Sequence, residues 1–102
     1  MRDADIEEAA RRFALLGDPT RLRILRVLME RTEAPVHEVA ALAGTSRFNA
    51  SAHLGRLAVC GLVARRREAS TVYYRVIDAN LPAICEAMGA SLRVRSLAAT
   101  SS

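Results

Sequence analysis

Apolar residues recur every three or four positions through the first sixty residues and then at every second one, so the chain reads as helices followed by strands. Over roughly 4–16, Ile6, Ala9, Ala10, Phe13 and Leu16 share one helical face, and Gly17 supplies a stop. Asp18-Pro19 restarts the chain, because a side-chain acceptor before a proline with preset φ is a helix-opening pair. The second helix is expected to run to about Glu30, with Leu22, Leu25 and Leu28 or Met29 facing inward. Pro35 opens a short third helix whose apolar positions are Val36, Val39, Ala40 and Leu42. Gly44-Thr45-Ser46 predicts a tight turn with Ser46 as the cap of a fourth helix. That helix, Arg47 to about Val59, buries Ala50, Leu54 and Leu57 and ends near Gly61.

Two short helices joined by a glycine-containing turn form a helix-turn-helix pattern. Beyond Gly61 the period changes to two. Residues 62–67 and 72–76 are rich in β-formers and predict a hairpin. Its tip, Glu68-Ala69-Ser70-Thr71, lacks the Gly or Asn of two-residue turns, which predicts a longer loop. Asp78 caps a last helix in which Leu81, Ile84, Cys85, Met88 and Leu92 form one stripe. The expected architecture is mainly α with a small β-hairpin, a winged helix-turn-helix in the order α-α-α-α-β-β-α. One domain, 1–95, is followed by a flexible tail, 96–102.

Composition changes this picture in three ways. With 102 residues and few aromatics, the core must be built from Leu, Val, Ile and Ala, and a chain this short gains buried surface by pairing with a copy. All fifteen basic residues are arginine, and the net charge is +4. Arginine's planar fork suits phosphate oxygens and guanine edges, which raises the expectation of nucleic acid. No apolar run approaches the roughly 20 residues that span a bilayer, so no membrane partner is expected. Cys60 and Cys85 are far apart, without the spacing of a zinc ribbon or disulfide framework, which suggests a reducing, cytoplasmic setting.

The sequence words, in order, resemble the ArsR/SmtB family of winged helix-turn-helix transcriptional regulators over roughly residues 10–90. They are Leu16-Gly17-Asp18-Pro19-Thr20-Arg21-Leu22-Arg23-Ile24-Leu25, Val36-His37-Glu38-Val39-Ala40, Ser51-Ala52-His53-Leu54-Gly55-Arg56-Leu57, and Gly61-Leu62-Val63 with the following arginines and Tyr73-Tyr74. The resemblance implies a cytoplasmic homodimer, paired through its first and last helices, that represses by covering operator DNA. Ile6, Phe13, Leu81, Ile84, Cys85, Met88 and Leu92 are the expected dimer contacts.

In such a fold the fourth helix enters the major groove. Arg47, Phe48, Asn49 and Ser51 open it, with His53 a turn further on. Arg pairs with guanine, Asn with adenine, and Phe48 suits a thymine methyl. Ser46 and Arg56 are expected at phosphates, and Arg67, nearest the wing tip, is the preferred wing contact among Arg65, Arg66 and Arg67. The family usually carries glycine and a base at the tip, where this chain has Ala69 and Ser70.

The sensing half is less legible. At the family's metal site on the last helix Asp78 survives, but Asn80, Ser91 and Val94 replace the other ligands, so no metal site is expected there. On the third helix only His37 could ligate. Cys60 and Cys85 are the candidates for thiol redox or a thiophilic metal ion, with small buried apolar residues as the plainer reading of both. No cofactor is predicted. An enzyme is not expected: the chain has no nucleophile elbow, phosphate-cradling glycine loop or paired carboxylates. The alternative is a winged-helix protein-interaction module without DNA binding. An acidic fourth helix would support it, and residues 47–59 contain neither Asp nor Glu.

Overall fold

The computed structural model describes the backbone of residues 1–100 and the side chains of residues 1–97. Five helices and three short strands follow one another as α1 (Asp3–Leu16), α2 (Pro19–Glu30), β1 (Ala34–Pro35), α3 (Val36–Ala43), α4 (Arg47–Val59), β2 (Val63–Glu68), β3 (Thr71–Val76) and α5 (Leu81–Thr100). The helix starts are set locally. Asp18 Oδ2 accepts the Arg21 N–H at 2.9 Å, and Ser46 Oγ accepts the Asn49 N–H at 3.0 Å, each satisfying a donor that the first helical turn leaves free. Gly44 ends α3 in the left-handed region at φ 71°, so the chain turns sharply into α4.

The core gathers Ile24, Leu25, Val27 and Leu28 of α2, Val39, Ala40 and Ala43 of α3, and Ala50, Leu54 and Leu57 of α4. Val63 and Tyr74 close it from the sheet, and Leu81 from α5. Leu22 and Leu42, expected inside, are exposed. Leu25, Leu28, Val39 and Ala40 are buried as expected, Ile24, Val27 and Ala43 complete the inward faces beside them, and Leu22 turns to the groove between α1, α2 and α5.

Three features differ from the sequence reading. The sheet has three strands in the order β1-β3-β2, because Ala34 and Pro35 pair antiparallel with Tyr74 and Tyr73. The hairpin tip is a two-residue connection rather than a longer loop: Glu68 pairs with Thr71, and Ala69 adopts φ 53°. A non-glycine residue in that region is strained. Ala69→Gly should therefore stabilise the chain by about 0.5–1 kcal/mol, and a fall in melting temperature would contradict it. Finally, α5 continues to Thr100, into the segment expected as a tail, while residues 101–102 lie outside the described residues.

The attachment of α5 decides which of its apolar residues are free to meet a partner. Asp78 Oδ1 accepts the Asn80 N–H at 2.8 Å just before the helix, and Asp78 Oδ2 receives Arg12 of α1 at 3.3 Å. Beyond that anchor, Leu81 is the one fully buried residue of α5 among the described residues. Leu81 thus belongs to the protomer's own core and, contrary to expectation, is not free to meet a partner. Ile84, Met88 and Leu92 stay exposed on the helix, as do Ile6 and Phe13 on α1.

Candidate nucleic-acid interface

The capped start of α4 fixes which side chains leave the body. Arg47, Phe48 and Ser51 project into an open groove of about 830 Å³ between α4 and the β2–β3 wing. The far wall is Arg65 of β2 with Ser70, Thr71 and Val72 of the wing, and His37 of α3 enters from the side. No acidic residue lines this groove. Phe48 is 84% exposed, an unusual state for an aromatic side chain that nothing in the protomer covers.

The other expected contacts are distributed differently. His53 does not line the groove. It is half-buried on the α2 side of α4, where Nδ1 accepts the Arg21 Nε–H at 3.0 Å. That bond joins the start of α2 to the middle of α4; beside it the Arg21 backbone N–H, more than the nearby His53 and Arg21 charges, holds the Asp18 carboxyl below its ordinary range. His53 is thus placed as a tie between α2 and α4, the packing part of the role expected for it. Its partner lies 32 residues away in sequence, which explains why spacing alone missed it. Asn49 is exposed one turn before His53. Arg56 lines a separate groove beside α1 with Arg11, Arg21 and Cys60.

The three wing arginines divide by strand alternation. Arg65 and Arg67 share the face of buried Val63, and Arg67 Nε donates to Ala69 O at 3.1 Å at the tip. Arg66 points the other way and is engaged within the protomer. It meets Glu33 at 2.7 Å and Glu68 at 2.9 Å, with its guanidinium 4.6 Å from the centre of the Tyr73 ring. The same contact lowers the Glu33 carboxyl, chiefly through the Arg66 hydrogen bonds. Arg65, a wing candidate that was not the preferred one, and His37, expected only as a candidate ligand, line the groove. For Arg65 the usable signal was the two-residue period that sets it beside Arg67.

The three candidate sensing residues lie in three different places. His37 is in the α4–wing groove and Cys60 beside α1. Cys85 lines an apolar groove of about 500 Å³ between α1, α2 and α5, with Phe13, Leu16, Leu22, Met29 and Met88 among its neighbours. Burial there pushes the Cys85 thiol up, away from the reactive thiolate. Among the described residues, no three His, Cys, Asp or Glu side chains come together as a metal cage.

A helix-turn-helix domain model matches residues 16–66, half of the chain, across α2, the helix-turn-helix and the first wing strand. The chain belongs to the ArsR/SmtB family. It is 40% identical over 74 residues to the probable mercury resistance operon repressor of Streptomyces lividans, a match covering 71% of this chain and 57% of that one. It is 42% identical over 72 residues to the transcriptional regulator CmtR of Mycobacterium tuberculosis, covering 71% and 60% respectively. The chain thus spans little more than half the length of these curated relatives. Among solved structures, a homodimeric winged helix-turn-helix DNA-binding domain from Mycobacterium bovis superposes with a TM-score of 0.75 at 31% identity, over 95% of this chain and 91% of that one. The architecture of this ArsR/SmtB member is accordingly a winged helix-turn-helix, with β1 as a third strand on its wing sheet. No helix among the described residues is long and apolar enough to cross a membrane.

Proposed function

We propose that the chain is a homodimeric transcriptional repressor that reads operator DNA with α4 and grips its backbone with the wing. The observation that carries this reading is the acid-free groove in which Arg47 and Arg65 face the same space from opposite walls. A major groove presents guanine acceptors to the first and phosphates to the second. Dimerisation is supported by α5, on which Ile84, Met88 and Leu92 are exposed in the protomer. A second copy offering the same α1–α5 surface is the partner of matching chemistry. The docking-module alternative gains nothing from the α4 surface, which offers arginines and no carboxylates.

The test is binding to a duplex enriched from a random library, titrated at several salt concentrations. Arg47→Ala should cost about 1–3 kcal/mol on the enriched duplex and little on a scrambled one. Arg65→Ala should weaken both duplexes alike and reduce the salt slope by about 1. A salt-independent affinity, or no effect of either change, would contradict the reading. Cys60 and Cys85 are the positions through which thiol oxidation or a thiophilic metal would act on this repressor, Cys60 lying closer in sequence to the DNA-reading residues.

A further inference from the structure

Histidine is the side chain that ordinarily changes charge between about pH 5 and 8, and the two histidines of this protein stand in opposite situations. His53 Nδ1 already accepts the Arg21 Nε–H at 3.0 Å, so a proton placed on that nitrogen breaks the bond and sets two cations together. His37 is exposed in the first turn of α3 and, among the described residues, makes no hydrogen bond or ion pair.

The position of His37 indicates what a proton on it would meet. α3 is the helix before the DNA-reading one, and in a helix-turn-helix that first helix crosses the phosphate backbone. His37 stands at the side of the α4–wing groove, to which α4 contributes Arg47 and β2 contributes Arg65. Of the other elements packed against α3, β3 brings only Thr71, Val72 and Tyr74 to this groove, and α2 and β1 bring nothing. The carboxylates nearest in sequence are both occupied, Glu33 by Arg66 and Glu38 by Arg31. A protonated His37 thus shares its groove with cations and with no carboxylate. The anion available to a cation at this place is a phosphate of the duplex.

We propose that His37 holds a backbone phosphate of the operator in its protonated form, so that each protomer takes up a proton on binding and affinity rises as pH falls. The inference rests on the operator-binding role proposed for α4 and the wing, and it adds the proton as a regulator of that site. A phosphate beside an imidazole favours the charged form, which makes binding about fivefold tighter per protomer at pH 6 than at pH 8 and about 25-fold tighter for a dimer. The sign separates the two histidines, because protonating His53 breaks the α2–α4 tie and weakens binding in acid.

The test is anisotropy titration of the duplex enriched by the wild-type chain, from pH 6 to pH 8 at constant ionic strength. Wild type should bind more tightly in acid, and its salt slope should be steeper at pH 6 by about one for each protomer. His37→Asn should flatten the pH profile, and His37→Lys, a lasting cation, should bind with a flat profile at the acid-limb strength. His53→Gln, which keeps an acceptor for Arg21, should retain the wild-type rise in acid. A wild-type affinity that is flat or falls in acid, or a His37→Asn chain that keeps the wild-type profile, overturns the inference. If the duplex is bound with a steep salt dependence but no pH dependence, the operator-binding reading stands without it. A chain that enriches no duplex overturns both.

Discussion

Placing aspartate at both Phe13 and Met88 is expected to give a folded monomer that has lost operator binding. Both side chains line the α1–α2–α5 groove and are 57% and 62% exposed in the protomer. Neither substitution therefore opens a cavity in the core, and the helical signal in circular dichroism should persist. In the dimer, however, each would bury an unpaired carboxylate against Leu22, Ile84 and Leu92, which desolvation opposes strongly. A monomer presents one α4 to DNA and forfeits the linked second contact, worth on the order of 10²–10⁴-fold in affinity. Sedimentation should show half the wild-type mass, and anisotropy titration the loss of binding. A variant that stays dimeric would move the interface elsewhere on the surface.

The second large effect lies under the recognition surface. Leu54→Ala should destabilise the fold by about 2–5 kcal/mol, since Leu54 is fully buried in the core cluster that includes Leu25, Leu28 and Leu57, and its truncation leaves a cavity. A domain of this kind is stable by only about 5–15 kcal/mol, so the loss is a large fraction of the whole. Val59→Ala is the matched control: on the same helix but 88% exposed, it should shift stability by less than about 0.5 kcal/mol. Urea midpoints for the two variants decide the matter, and equal midpoints would mean that α4 is not seated as described.

What could be read from the sequence depends on the range of the interactions involved. Asp18-Pro19 and Ser46 mark their helix starts because cap and donor are three residues apart, and Gly44 marks a stop by its own φ. The placement of Arg47, Phe48 and Ser51 on the outer face of α4 comes from the same local period. β1 escaped notice because two residues carry no period, and it exists only through pairing with Tyr73 and Tyr74 far along the chain. The tie of His53 to α2 and the engagement of Arg66 within the protomer escaped notice for a related reason. Their partners, Arg21 and Glu33, are 32 and 33 residues away. The two-residue tip was missed because Ala69 accepts a left-handed backbone against its preference, which the ladder from Val63–Val76 to Glu68–Thr71 imposes on it.

The grip of Glu33 on Arg66 has an effect on how tightly DNA is held that is separate from any contact with DNA. A free hairpin would surrender conformational freedom on docking, at about 0.5–1.5 kcal/mol for each long side chain immobilised. Here Arg66 is already confined by two carboxylates and an aromatic ring, so much of that ordering has occurred before the encounter. On the proposed repressor reading, the wing would meet the double helix pre-aimed, leaving Arg65 and Arg67 for phosphates. On that reading salt would act twice: it would screen the arginines proposed to face DNA, and it would loosen the exposed Glu33–Arg66–Glu68 brace beside them.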